Sequence, residues 1–341
     1  MSENSHPVTA LVCNSNMFVP YVLSEVLNHN EVPYLIMTDI ENIRAFFLNM
    51  DIPNAKLLFY EQPRSIKHII SAHQRLWKST KQYNITKVVF FHTEFGGIIN
   101  KFILKKSKEA EIDFCKVFNS LPFEKAHSLK AFKYKLIDFL FNGVRMDILD
   151  QTNMFVPSLP YSFYKQVKAR YLSMDIDYDK INHLLSGLLG QDSTNRRIVI
   201  LTGSNVSSGI IPKDEYISKT NALLDAIGVD ACISKCHPRY NDLFGKELEL
   251  PSIPSWIPGN LIIGNYDVFI GNHSTMIAEA ALGGKLAISL LDYYQQSEGM
   301  EKQMKAFLED RLDGKGVIHY PHTVNDILKL IKNKSNGGYK D

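Results

Sequence analysis

Short apolar runs and longer amphipathic stretches alternate from the start of the chain. Val8-Thr9-Ala10-Leu11-Val12-Cys13 is a continuous apolar run closed by the polar turn Asn14-Ser15-Asn16, after which Val19 to Leu27 repeats at helical spacing. That order predicts a buried strand, a turn and a helix. Further strands are predicted at Pro33–Asp39, Ala55–Tyr60 and Lys87–Phe91, the last following a helix from Ile66 to Lys81. Apolar strands separated by helices belong to parallel sheets covered on both faces. The pattern restarts at Arg197, with strands at Arg197–Thr202 and Asp230–Lys235 on either side of a helix from Asp214 to Ile227. Asn260–Ile263, Val268–Ile270 and Leu286–Leu290 are read as the strands that complete the second set. Between the sets, from Arg145 to Asn195, the periodicity lapses around Pro157, Pro160 and Gly190-Gln191-Asp192-Ser193-Thr194-Asn195. The expected architecture is α/β: two Rossmann-like, doubly wound parallel-sheet domains at 1–150 and 196–341, with a junction at 151–195.

Composition narrows the function. A length of 341 residues suits two domains, and 45% hydrophobic with 22% charged residues is ordinary for a folded soluble protein. Lys plus Arg is 38 and Asp plus Glu is 36, a net charge of +2, so no nucleic-acid partner held by bulk charge is expected. Met1 to Pro7 has no basic leader region and no stretch approaches the ~18 apolar residues of a membrane span, which points to a cytoplasmic protein. Cys13, Cys115, Cys232 and Cys236 are scattered and read as reduced thiols. Cys232 and Cys236 stand beside His237, but no second ligand pair follows at zinc spacing, and no metal is expected. The segment Asn325–Lys334 is a basic amphipathic helix: either a closing helix packed on its domain or a contact to an anionic lipid surface.

Two motifs carry the candidate chemistry. Lys235-Cys236-His237-Pro238-Arg239 ends a buried strand; proline halts the strand and leaves the His237 imidazole at the sheet's carboxyl edge. A histidine there can protonate or hold a leaving phosphate oxygen, although such pairs also end strands for structural reasons. Asp267-Val268-Phe269-Ile270-Gly271-Asn272-His273-Ser274-Thr275 then leads into a helix through Glu279 to Gly284. Ser274 and Thr275 at that helix start suit a phosphate, or serve as an ordinary cap.

In their order, His237-Pro238 and Ser274-Thr275 resemble the histidine-proline and Ser-Ser/Thr motifs of the bacterial GT-B sialyltransferases, most nearly glycosyltransferase family 52, with the bacterial polysialyltransferases next. The likeness covers about Arg197 to Leu291. It implies two domains facing a cleft and an inverting transfer of sialic acid, or a related nonulosonic acid, from CMP to a terminal sugar of a surface glycan. The partners implied are a CMP-sugar donor and a glycan acceptor, with no cofactor and no metal; peripheral contact with the inner membrane would run through the basic tail. His237 would be catalytic, and Pro238, Asn272, Ser274 and Thr275 would contact the donor, joined by Gly203 and Asn205 after the first strand of the second set.

The family's acidic D/E-D/E-G motif, source of the general base, has no copy here. Glu94, in His92-Thr93-Glu94-Phe95-Gly96-Gly97, is the preferred replacement, with Asp214 and Glu215 as alternatives beyond Ser207-Ser208-Gly209. Asp175-Ile176-Asp177 has the form of a metal-binding DxD but lies among charged residues and reads as surface. Two other functions stay open: a GT-B-like capsule or polyol-phosphate transferase with a UDP- or CDP-linked donor, and a nucleotide-binding scaffold without activity.

Overall fold

A computed structural model describes residues 6–62, 66–92, 109–116, 153–155, 170–172, 176–189, 196–202, 211–237, 248–294, 298–312 and 314–335, with positions 99, 102, 106 and 206. The chain divides into two compact units, Met1–Asp177 and Tyr178–Asp341.

The first unit is a parallel sheet of β1 (Pro7–Cys13), β2 (Tyr34–Thr38), β3 (Ala55–Phe59), β4 (Asn84–His92), β5 (Glu111–Lys116), β6 (Asn153–Phe155) and β7 (Arg170–Leu172). Their order is β3-β2-β1-β4-β5-β6-β7. Helices α1 (Val19–Asn28), α2 (Glu41–Leu48) and α3 (Ile66–Thr80) connect the early strands. Ala10, Val12, Leu35, Met37, Val88 and Phe90, alternate residues of three neighbouring strands, pack against Ala72 and Leu76 of α3. Between β4 and β5 the buried Asp113 carboxylate is held by Lys87 Nζ at 2.8 Å.

The second unit holds β8 (Ile198–Thr202), β9 (Cys232–Cys236), β10 (Ser252–Ile253), β11 (Val268–Gly271), β12 (Leu286–Ser289) and β13 (Ile318–His319), in the order β10-β9-β8-β11-β12-β13, all parallel. Its helices are α4 (Tyr178–Leu189), α5 (Lys213–Ile227), α6 (Thr275–Leu282), α7 (Glu298–Asp310) and α8 (Val324–Ser335). Side chains alternate across the pleat. Val199, Ile233, Phe269 and Ala287 pack on one face with α6 and α7, while Ile198, Ile200, Val268, Ile270 and Ile288 pack on the other with α5 and α8. An unbroken run such as Ile198-Val199-Ile200-Leu201 is what a strand buried on both faces requires. Gly271 closes β11 because a Cβ there would lie 2.7 Å from Leu201 Cβ.

Three expectations need correction. Asn260–Ile263 is no strand: it lies in a 3-10 turn, Gly259–Asn265, entered from Pro258, and Leu261, Ile262 and Ile263 turn into the core. Asp230 and Ala231 belong to a second 3-10 turn, so β9 begins at Cys232. The stretch Arg145–Asn195, read as irregular, carries β6, β7 and α4. In the tail, Ile327 is fully buried and Val324, Leu330 and Ile331 pack beside it, so the apolar face of α8 is covered by its own unit. Thr323 Oγ1 accepts from the Asp326 N–H and donates to the Asp326 carboxylate, capping that helix. Among the described residues no helix is long and apolar enough to cross a membrane.

Candidate functional site

In the second unit the chain runs from β8 outward through β9 to β10, then returns to β11 on the other side of β8. The carboxyl ends of β8 and β11 therefore flank a topological switch point, where open α/β sheets bind ligands. Thr202 pairs with Cys236 across β8 and β9, and Ile200 with Ile270 across β8 and β11. This register brings His237, Thr202 and Asn272 to the same level of the edge. The His237 N–H donates to the Thr202 carbonyl at 3.2 Å. Two strand spacings separate the rows of His237 and Asn272, about 10 Å.

The edge is rich in unsatisfied polarity. Thr202 Oγ1, Asn272 Oδ1 and His273 Nδ1 are each shut from solvent with no hydrogen-bond partner among the described residues. Asn272 is only 8% exposed, and its carbonyl is fixed by Ser289 Oγ at 2.7 Å. Burial lowers the His273 pKa, disfavouring its charged form. Native proteins pair nearly all such groups. Neither Thr202 nor His273 stands out in the sequence; each is one polar residue at a strand end, and only its burial without a partner distinguishes it.

Ser274 is the N-cap of α6, in extended backbone, and its Oγ accepts from the Met276 N–H at 3.3 Å. The capping role and the phosphate role coexist, because a hydroxyl that accepts one bond still donates one. Thr275 is the first residue of the helix. Glu279 lies one turn further on the same helical face, and burial pushes its carboxyl up to about 7 against the pull of the Arg311 guanidinium.

Of the predicted site residues, the structure brings His237, Asn272, Ser274 and Thr275 to one edge of one sheet. Asp214 and Glu215 open α5; Asp214 is exposed, and the Glu215 carboxylate is engaged by Lys219 Nζ at 2.9 Å. Glu94, Pro238, Gly203 and Asn205 lie outside the described residues, as does Asp175, while the Asp177 N–H donates to Ser24 Oγ at 2.7 Å. Cys13, Cys232 and Cys236 are buried. Among the described residues no group of three or more His, Cys, Asp or Glu side chains is gathered as metal ligands.

No family model matches the chain, and no curated protein matches it. Solved structures do. A putative UDP-N-acetylglucosamine 2-epimerase from Listeria monocytogenes is similar over 99% of both chains, with a TM-score of 0.52 and 12% identity. A UDP-N-acetylglucosamine 2-epimerase from Rickettsia bellii is similar over 97% of both, with a TM-score of 0.50 and 12% identity. The wall teichoic acid polymerase TagF is similar over 98% of this chain and 81% of its own, with a TM-score of 0.53 and 11% identity. The fold is the GT-B fold, two Rossmann-like parallel-sheet domains.

Proposed function

We propose that the protein is an inverting glycosyltransferase that takes its sugar from a nucleotide-linked donor bound at the β8–β11 crevice. One observation carries this reading: three buried, unpartnered polar atoms at a switch point, directly before the N-terminus of α6. The amides of that terminus and the Ser274 and Thr275 hydroxyls would hold the donor phosphate. His237 would stabilise the oxygen that leaves with it. The donor is a CMP-linked sialic or related nonulosonic acid, a reading supported by the order and spacing of His237-Pro238 and Ser274-Thr275.

In the reaction an acceptor hydroxyl oxygen bonds to the anomeric carbon while the bond to the phosphate oxygen breaks. The electron pair leaves with CMP, and the hydroxyl proton passes to a carboxylate. Glu94 is the proposed base, two residues beyond the end of β4. Asp214 complements the dipole of α5 and Glu215 is spent on its ion pair, which leaves both less suited. Charge on the leaving group is met by an imidazole and a helix N-terminus, so transfer should persist in EDTA. A UDP- or CDP-linked donor is the second reading, favoured by structural neighbours named as UDP-N-acetylglucosamine 2-epimerases and a wall teichoic acid polymerase.

The test pairs a binding screen of CMP, UDP and CDP with turnover of CMP-sialic acid on galactose-, N-acetylgalactosamine- and sialic-acid-terminated acceptors. CMP should bind most tightly, and His237→Ala should stay folded while kcat falls on the order of 10²–10⁴. Near-normal turnover in a folded His237→Ala variant would refute the assignment, and a preference for UDP would move it to the second reading.

A further inference from the structure

The outward side of α3, in the first unit, is charged unlike the rest of the chain. No acidic residue occurs between Glu61 and Glu94, a stretch of 32 residues that holds six Lys and Arg. From Arg64 to Lys108 there are ten, against Glu94 alone. The remainder of the chain has 28 basic and 35 acidic residues, so the near-neutral total of +2 conceals a basic segment in an acidic protein. On α3 the stripe Ile69, Ala72, Leu76 and Thr80 is buried. Arg75 and Lys78 are exposed, as is Lys81 just past the helix end, and none of the three forms an ion pair among the described residues. Beside them Ile70 is 67% exposed, more than any other large hydrophobic side chain among the described residues. Trp77, seven residues on and so on the same flank, is half-buried. Its ring centroid lies 6.0 Å from that of Phe102 and 5.1 Å from Lys106 Nζ.

Charge and apolar exposure together select the partner. A merely solvated helix face mixes both signs of charge and keeps its aliphatic side chains inside. Lys78 near the helix C-terminus complements the dipole, but that accounts neither for Ile70 nor for the missing acids. Nucleic acid is gripped by arginines and stacked aromatics, and a dissolved polyanion gains nothing from an exposed isoleucine. An anionic bilayer uses every part of this face. Its headgroups attract each Lys or Arg held near the surface, its acyl boundary takes an aliphatic side chain, and a tryptophan suits the headgroup level. We propose that the outward face of α3 docks on a membrane surface rich in anionic phospholipid, with Ile70 inserted and Arg75, Lys78 and Lys81 against the headgroups. The basic helix α8 is not the anchor, because its apolar side is already covered by its own unit. Docking through α3 stands whether or not the chain transfers a sugar.

Co-sedimentation of the full chain with lipid vesicles tests it. Vesicles of phosphatidylcholine with about 30% phosphatidylglycerol should bind the protein, pure phosphatidylcholine should bind it at least ~10-fold more weakly, and about 0.5 M NaCl should release it. Arg75→Gln combined with Lys78→Gln should weaken binding about 25-fold, roughly fivefold for each charge. Ile70→Ser should weaken it about three- to tenfold. These positions are exposed, so the variants should melt within about two degrees of the wild type. Lys329→Gln combined with Lys332→Gln removes the same charge from exposed positions of α8 and should bind like the wild type. An equal loss in that variant would make net charge alone the cause and overturn the docking face. Undiminished binding by Ile70→Ser would overturn it too, since no side chain would then be inserted. A chain that ignores anionic vesicles refutes the proposal outright; retention on heparin instead, lost with Arg75 and Lys78, would make this face a polyanion site. Vesicle binding that responds as expected in a protein that binds neither CMP nor UDP would refute the transferase reading and leave the docking face standing.

Discussion

Glu279 and His273, seven residues and less apart from Asn272 in the chain, pull stability in opposite directions with pH. The folded Glu279 carboxyl titrates at about 7, against an ordinary value of 4.5. Between those values the native state holds a proton that the unfolded chain has released. The stability linked to Glu279 is therefore complete below pH ~4.5 and is lost as pH rises through 7. At ~1.4 kcal/mol per pKa unit the loss is on the order of 3 kcal/mol. His273 acts the other way, since its lowered pKa makes the folded state resist protonation and stability rises with pH up to about 6.5. Urea unfolding at pH 5 and pH 8, compared between the wild type and Glu279→Gln, isolates the carboxyl. The wild type should lose more stability between the two than Glu279→Gln, by roughly 1–3 kcal/mol. Parallel pH dependence in the two proteins would place the titration on another group.

At the scale of elements, the start of α6 holds two hydroxyls with separable duties. Ser274 Oγ already caps the Met276 N–H, whereas Thr275 stands inside the first turn. Ser274→Ala should therefore cost ~1 kcal/mol of stability in thermal unfolding. Thr275→Val should melt like the wild type and weaken CMP binding by ~1 kcal/mol in titration calorimetry. Wild-type CMP affinity in Thr275→Val would leave the phosphate to the helix amides alone. That helix and its cap were legible in the sequence, because a small polar pair between a β-branched strand and Met276-Ile277-Ala278 permits little else. So were β1, β8 and β11, whose apolar runs suit strands buried on both faces. Leu261-Ile262-Ile263 was not legible: a three-residue apolar run fits a strand or a tight turn equally, and Pro258 and Gly264 decide it only once α4 packs alongside, where a Cβ on Gly264 would meet the Asn182 side chain. Thr202 and His273 were equally hidden. Their meaning depends on strand order, which sets neighbours that no local window contains.

At the scale of the molecule, each unit has its own core. The second sheet is covered on one face by α6 and α7 and on the other by α5 and α8, all supplied by residues after Asp177. The fragment 178–341 should therefore fold alone, with a cooperative thermal transition that CMP raises. A fragment that stays unfolded, or folds without responding to CMP, would place part of the donor site before Tyr178.

Both sheets also run outward, return past their first strand and continue on the far side: β3-β2-β1-β4 in one, β10-β9-β8-β11 in the other. The two halves share this plan although no repeat is visible between their sequences. Heredity can then work by halves. A single genetic crossover near residue 177, between two proteins built this way, would hand the offspring one whole crevice from each parent. New pairings of the two crevices would arise in one step, without any strand having to be rebuilt.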